Sequence, residues 1–116
     1  MKMALYIRVS TRKQQTENQK IILEEYAKKQ NWKYDIYEEE ESTRKTRPIK
    51  YDLFTKLREG FYDGVCFYKL DRWARSVSEG VKEIDELVKR GVSVIDYSGS
   101  ITFTPDKRTG QLPSMQ

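Results

Sequence analysis

Hydrophobic and polar positions recur with two different periods along this chain, and the two periods predict strands and helices in turn. Runs rich in β-branched and aromatic residues predict four strands separated by three amphipathic helices. The first predicted strand begins at Ala4, and the others cover Trp32–Tyr37, Gly64–Leu70 and Val92–Tyr97. A short further strand is predicted at Ile101–Thr104.

The three predicted helices are bounded by residues that commonly cap or end a helix. Their predicted starts are Thr16, Pro48 and Ser78, and their predicted ends are near Gln30, Gly60 and Gly91. The apolar residues predicted to face the sheet are Ile22, Leu23, Tyr26, Ala27, Leu53, Phe54, Leu57, Val81, Ile84, Leu87 and Val88. The polar segments Thr11–Gln15, Glu38–Arg47 and Asp71–Ser76 are predicted to be loops.

Alternation of strands and helices predicts an α/β fold with three layers, in which a mostly parallel sheet has helices on both faces. Ligands bind such sheets at the carboxyl ends of the strands. If the first and third strands are neighbours, the polar residues that follow them meet at one edge. These residues are Arg8 and Ser10 after the first strand, and Lys69, Asp71, Arg72 and Arg75 after the third.

Composition narrows the chemistry that such an edge can perform. The 116 residues suffice for one compact domain, and the net charge of +4 is compatible with a phosphate-bearing partner. The sequence contains no histidine, which excludes Ser-His-Asp and Cys-His catalysis and the usual zinc sites. The single cysteine, Cys66, predicts a buried thiol in a reduced, cytoplasmic protein. Neither a membrane span nor a signal peptide is expected.

Arginines beside a hydroxyl group indicate phosphate chemistry, because arginine stays charged and offers two parallel donors to phosphate oxygens. Ser10 is then a candidate nucleophile that would hold the phosphorus as a covalent ester. No Walker-type nucleotide-binding motif occurs. Each residue alone has a simpler interpretation. A serine at a strand end commonly caps a turn, and Asp71, Arg72 and Arg75 could form local salt bridges at a helix entrance.

Two motifs resemble those of the serine recombinase (resolvase/invertase) catalytic domain. The first is Y-I-R-V-S-T at Tyr6–Thr11, and the second is Y-D-G-V-C-F-Y-K-L-D-R-W-A-R-S at Tyr62–Ser76. Between them, Arg47 and Pro48 open the second predicted helix as in the family pattern. The resemblance extends from residue 3 to about residue 112 with its spacings intact.

This resemblance implies a site-specific DNA recombinase in which Ser10 forms a 5′-phosphoserine link to cleaved DNA, without ATP, metal or other cofactor. The residues implied to bind the scissile phosphate are Arg8, Arg47, Arg72 and Arg75, with Asp71 organising them. The supporting positions implied are Gln14 and Gln19 and, on weaker correspondence, Lys56 and Asp63. The implied partners are DNA and further copies of the chain, as a homodimer and a synaptic homotetramer of the full-length protein.

Two departures from the family pattern affect these expectations. The loop before Arg47 lacks the Ser-Gly pair of many members, so either Arg44 or Arg47 could be the loop arginine. By this resemblance, residues 1–116 are expected to be a single catalytic domain that lacks the long dimerisation helix and the DNA-binding region found after it in the family, either as a trimmed catalytic domain or as a reduced family member. The modest net charge of +4 and the lack of a DNA-reading motif predict weak, sequence-indifferent DNA binding at physiological salt.

Two other functions compete with recombination. A non-catalytic DNA- or protein-binding module could keep the same fold, although it would not need Arg8, Ser10, Asp71, Arg72 and Arg75 together. A small-molecule phosphotransferase or phosphatase is the second alternative, although nothing in the sequence suggests a small-molecule pocket. The sequence leaves open the target site, the subtype (resolvase, invertase, integrase or transposase) and the general base, which could be an arginine, Asp71 or water.

Overall fold

Strands and helices alternate along the chain. The computed structural model describes residues 1–9, 13–40 and 46–104, with the backbone alone for residue 9 and residues 13–18. Its strands are β1 (Lys2–Val9), β2 (Lys33–Glu40), β3 (Gly64–Phe67), β4 (Ser93–Asp96) and β5 (Ile101–Phe103). Its helices are α1 (Lys13–Lys29), α2 (Pro48–Arg58), α3 (Leu70–Trp73) and α4 (Val77–Lys89).

The five strands form one sheet in the order β2-β1-β3-β4-β5. β1 pairs in parallel with β2 on one side and with β3 on the other, and β3 pairs in parallel with β4. Only β5 runs antiparallel to its neighbour in this sheet of the described residues. The predicted mostly parallel sheet is confirmed, and so is the expectation that the first and third strands are neighbours.

Helices cover both faces of the sheet, because successive residues of β1 point to opposite sides. Leu5 and Ile7 pack in one apolar core with Leu23 of α1. Ala4 and Tyr6 belong to a second core, on the other face, that is completed by residues of α2, α3 and α4. The predicted three-layer arrangement is therefore confirmed.

The central strand β3 is buried along its whole length, as predicted. A Cβ added to Gly64 would lie 2.6 Å from the carbonyl oxygen of Ser93, so only glycine lets β3 approach β4 this closely. Burial raises the pKa of the Cys66 thiol to about 12. The thiol therefore stays protonated and is a poor nucleophile, in agreement with its predicted role as a small buried residue.

Apolar stripes on the helices match the sequence pattern in most positions, although Ile22 and Tyr26 are only partly buried. Val81 of α4, predicted to face the sheet, is 55% exposed. The predicted inward-facing residues that are fully or almost fully buried are Leu23, Ala27, Leu53, Phe54, Leu57, Ile84, Leu87 and Val88.

Two of the predicted loops have one boundary in the wrong place. Helix α1 begins at Lys13, ahead of the predicted cap at Thr16, so part of the predicted loop is helical. Strand β2 continues to Glu40 rather than ending at Tyr37, because it pairs with β1 as far as Val9. Both extensions are polar, and neither has an apolar period that could reveal it in the sequence.

Trp73 anchors the short helix α3, which replaces the end of the predicted third strand and part of the predicted loop after it. Its side chain is fully buried. The ring stacks on Phe67 with centroids 5.5 Å apart and meets Tyr6 edge-on at 5.1 Å. A single helical turn has no sequence period and little stability of its own, so α3 depends on this packing.

Helix α4 is capped by Ser76 and not by the predicted Ser78. The Oγ atom of Ser76 accepts a hydrogen bond from the backbone N–H of Glu79 at 3.1 Å. The Glu79 carboxylate in turn accepts from the backbone N–H of Arg75 at 2.7 Å. A serine and a glutamate three residues apart are the signature of a capping box, which the sequence contains.

Glu39, near the end of β2, caps the amino terminus of α2 from outside the helix. The residue is 1% exposed, and its carboxylate accepts from the backbone N–H groups of Ile49 at 3.2 Å and Lys50 at 2.9 Å. Arg47, at the usual capping position, makes no side-chain cap. Glu39 thus satisfies donors that the first turn leaves unpaired, and its charge complements the helix dipole.

Replacing this cap is expected to destabilise the protein. Glu39→Ala leaves buried donors without an acceptor, and we expect a loss of about 3 kcal/mol in the free energy of unfolding. Glu38→Ala is the matched control and should cost less than about 1 kcal/mol, because among the described residues the Glu38 carboxylate makes only a surface ion pair with Lys20 at 3.4 Å. Urea unfolding measures both. Equal losses in the two variants would contradict the capping role.

Candidate active site

The carboxyl ends of β1, β2 and β3 lie side by side, at the edge where parallel sheets bind ligands. Tyr6 of β1 pairs with Phe67, the last residue of β3, and Arg8 lies two residues further along β1. The chain continues from β3 through Lys69 into α3. The predicted meeting of the first and third strand ends is therefore observed.

Arg8 projects from the same face of β1 as Tyr6, and its partner in register on β2 is Glu39. The residue is only 9% exposed. Its Nε atom is buried and has no hydrogen-bond acceptor among the described residues. The Tyr6 hydroxyl donates to Glu39 Oε1 at 3.3 Å. A buried charged donor without an acceptor is costly, so this atom marks a place where an anion can bind.

Arg47 is held immediately before α2 by its backbone and by its side chain. Its backbone is in the left-handed region, with φ 43° and ψ 58°. The side chain is buried, and its Nη1 atom donates to the carbonyl oxygen of Trp73. A residue predicted to lie on a mobile loop is thus fixed between α2 and α3.

The charges of Arg8 and Arg75 both act on Arg47, and we call these three residues the basic cluster. Burial lowers the pKa of Arg47, and the charges of Arg8 and Arg75 lower it further. Burial also raises the pKa of Tyr6, and the neighbouring Glu39 carboxylate raises it further, whereas Arg47 and Arg8 oppose this shift. Guanidinium groups gathered in this way can bind a phosphate group through paired hydrogen bonds.

Asp71 and Arg72 lie on α3, next to the basic cluster in sequence. The Asp71 side chain is 76% exposed, and its carboxylate lies 4.0 Å from Arg72 Nε. An open cleft of about 420 Å³ runs beside Asp71 and Arg75 and reaches Asp96 at the end of β4. Lys69 also lines this cleft. Of the residues that were predicted to follow the third strand, Lys69, Asp71 and Arg75 therefore line one depression, whereas Arg72 is not among its lining residues.

Other predicted site residues lie outside the described residues or away from the cluster. Ser10 and Arg44 are outside the described residues, as is the side chain of Gln14. Gln19 is buried on α1, and its Oε1 atom has no donor within the described ranges. Their proposed roles stay predictions.

Two weaker candidates are placed elsewhere by the structure. Lys56 Nζ lies 3.4 Å from the Tyr37 hydroxyl and 3.6 Å from Asp52, on α2 well beyond Arg47. Asp63 lies at the opposite edge of the sheet, where its carboxylate accepts from the backbone N–H of Lys2 at 2.6 Å. Neither residue is brought to the basic cluster, and a role for either in the reaction also stays a prediction.

Three charged residues beside the cluster were missed by the sequence analysis. Glu39 lies in a run of four glutamates with no alternation to single it out. Lys50 is 1% exposed, and its Nζ atom lies 2.9 Å from Glu83 and 4.7 Å from the ring centroid of Trp73. Glu79 was detectable, because it stands at capping-box spacing from a serine.

The described part of the chain contains neither a metal-binding cluster nor a membrane-spanning helix. No group of three or more His, Cys, Asp or Glu side chains there is arranged to hold a metal ion. No helix in these ranges is both long and apolar enough to span a membrane.

Several solved structures resemble this one. The N-terminal catalytic domain of TP901-1 integrase superposes with a TM-score of 0.76 at 29% identity, covering 88% of this chain and 81% of that one. A resolvase family site-specific recombinase from Streptococcus pneumoniae gives 0.74 at 23% identity, covering 92% and 78%. The C-terminal catalytic domain of ISC1926 TnpA, an IS607-like serine recombinase, gives 0.70 at 23%, covering 84% and 70%.

At 23% identity, the last two similarities show a shared fold and no more.

No curated protein sequence matches the chain. Residues 3–113 match the family described as Resolvase, N terminal domain. This match covers nearly the whole chain and agrees with the observed sheet and with the two motifs found in the sequence. The chain therefore belongs to the resolvase family of serine recombinase catalytic domains.

Proposed function

We propose that this chain is the catalytic domain of a site-specific DNA recombinase, in which Ser10 attacks a DNA phosphodiester bound by the basic cluster. The observation that carries the proposal is the burial of Arg8 and Arg47 within range of each other's charge at the strand ends. Like charges are costly to bury together, and the Arg8 Nε atom also lacks an acceptor among the described residues. A phosphate oxygen would supply that acceptor and offset the repulsion.

Covalent connectivity supports Ser10 as the nucleophile. Ser10 follows Arg8 by two residues, and two residues of chain span at most about 7 Å. This short separation keeps the Ser10 hydroxyl near a phosphate bound to the Arg8 guanidinium group. Because the sequence contains no histidine, the proton of this hydroxyl must go to an arginine, to Asp71 or to water.

The proposed reaction exchanges one phosphate ester for another. The Ser10 oxygen bonds to phosphorus while the bond from phosphorus to the 3′ oxygen of the neighbouring nucleotide breaks, and that oxygen leaves as a hydroxyl group after gaining a proton. The product is a 5′-phosphoserine ester. A 3′-hydroxyl group from another strand then attacks this ester, restores the DNA backbone and frees Ser10. The ester retains the bond energy, so resealing requires no nucleotide cofactor.

The arginines are proposed to stabilise the transition state, in which negative charge on the phosphate oxygens increases. Arg8 and Arg47 are preorganised by burial, whereas Arg75 would approach from the cleft and Arg72 from α3. Asp71 and Gln19 would orient these groups. Contacts of this kind hold the phosphate but do not read bases, so the target sequence must be selected elsewhere. Exchange of strands between two DNA sites also requires several copies of the catalytic domain, as in the proposed dimer and synaptic tetramer.

Replacing the nucleophile is expected to abolish covalent attachment to DNA. The full chain is incubated with a pool of random-sequence duplexes in EDTA and denatured in SDS, and the protein-linked DNA is recovered and sequenced. We expect adducts with the wild type and none with Ser10→Ala. Ser78→Ala is the control, because Ser78 is an exposed hydroxyl on α4 and its variant should form adducts as the wild type does.

Two outcomes of this experiment would count against the proposal. Adducts that persist in Ser10→Ala would assign the nucleophile to another residue. If neither the wild type nor the variants form adducts, although the wild type binds DNA, the result would favour the non-catalytic module.

Arg47→Lys tests the arginine geometry separately from the charge. Lysine keeps the positive charge but loses the planar fork that contacts Trp73 and would contact phosphate. We expect the single-turnover cleavage rate to fall about 100-fold. Arg90→Lys, at the exposed end of α4, should change the rate by less than about twofold. An unchanged rate in Arg47→Lys would exclude Arg47 from transition-state stabilisation.

A further inference from the structure

Glu79 lies where the basic cluster meets α4, and positive groups from three sides surround its carboxylate. Its Oε2 atom accepts from the Arg75 backbone N–H at 2.7 Å, and its Oε1 atom lies 3.4 Å from Arg75 Nη2. Lys50 Nζ lies 3.9 Å from Oε2. The charge of Glu79 also acts on Arg47. One carboxylate thus interacts with two members of the basic cluster.

We propose that Glu79 is a positioning residue that occupies the Arg75 guanidinium until a DNA phosphate displaces it. In this scheme the carboxylate does not leave its place. It releases Arg75 and remains bound to the Arg75 backbone N–H and to Lys50. The inference rests on the proposed function, because it takes Arg75 to be a phosphate-binding residue.

The contacts of Glu79 differ in strength in the way that this exchange requires. The contact with the Arg75 side chain is long, and that side chain is 51% exposed, so it can be lost at low cost. The contact with the backbone N–H is short and is fixed by the turn into α4. A phosphate offers Arg75 two oxygens for a paired interaction, which is better than the long contact with Glu79 that it would replace.

Lys50 provides the charge that keeps the carboxylate in place afterwards. Its side chain is almost completely buried, and it is held by Glu83 at 2.9 Å and by the face of Trp73. Burial lowers the pKa of Lys50, whereas the hydrogen bond and the charge of Glu83 oppose this shift. For Glu79, burial acts to raise the pKa, but the hydrogen bond from the Arg75 N–H and the charges of Lys50 and Arg75 outweigh it, so the pKa is lowered.

A purely structural role is the competing explanation, because Glu79 also closes the capping box with Ser76. The two explanations differ in what a neutral side chain does. Glu79→Gln keeps an oxygen that can accept from the Arg75 backbone, but it removes the charge that competes for the guanidinium group. Ser76→Ala weakens the cap without changing any charge.

The test measures the affinity of the full chain for a fluorescein-labelled, random-sequence DNA duplex at low ionic strength, by fluorescence anisotropy. We expect Glu79→Gln to bind up to about fivefold more tightly than the wild type. Ser76→Ala should bind as the wild type does, although urea unfolding should show it to be less stable. Glu86→Gln controls for net charge, since Glu86 pairs with Arg58 and Arg90 further along the same helix.

A double-mutant comparison separates this inference from the function on which it rests. Arg75→Gln alone should weaken binding, and in that background Glu79→Gln should give no more gain than Glu86→Gln. If Arg75→Gln leaves the affinity unchanged, the proposed role of Arg75 in binding phosphate is wrong. Two outcomes would overturn only the positioning role of Glu79, provided that Arg75→Gln weakens binding. In the first, Glu79→Gln increases the affinity no more than Glu86→Gln does. In the second, Glu79→Gln still increases the affinity when Arg75 is replaced by Gln.

Discussion

Confinement of like charges at the end of the sheet is the constraint on which this structure depends. Arg8 and Arg47 are withdrawn from water within range of each other's charge, which is unfavourable without compensation. The Glu39 carboxylate lies opposite Arg8 on the neighbouring strand and places a negative charge beside it. The Nε atom of Arg8 nevertheless has no acceptor in the described part of the chain. The fold therefore holds a positively charged site at the strand ends, and a bound anion would compensate its charge.

A single buried ammonium group connects the three helices that border this site. Lys50 extends from the first turn of α2 to Glu83 of α4, and its charge lies over the ring of Trp73 in α3. Such a buried group is stable only when its partners are in place, because an unpaired charge in the interior is severely destabilising. The arrangement thus fixes the relative orientation of the helices more strictly than apolar packing would. The positions of Arg47 and Arg75 are fixed as a result, because each residue lies next to one of these helices.

The accuracy of sequence-based prediction here depended on whether a residue's role has a local signature. Leu53 and Leu57 were predictable, because helical spacing alone assigns them to the core. The alternation of elements predicted a mostly parallel sheet, but the adjacency of the first and third strands was an assumption that the structure confirms. Sequence alone could not identify Glu39, whose role arises from a helix that begins after an intervening segment. Lys50 was equally hidden, because a lysine at the start of a helix ordinarily indicates an exposed residue.

The bond between Arg47 and Trp73 couples the position of the Arg47 guanidinium group to the docking of α3. The two residues are 26 positions apart, and β3 lies between them in sequence. The left-handed backbone of Arg47 is unfavourable for a residue with a side chain, by about 1 kcal/mol or more. The contact with α3 offsets part of this cost. A change that displaces α3 would therefore also release Arg47 and disperse the positive charge at the strand ends.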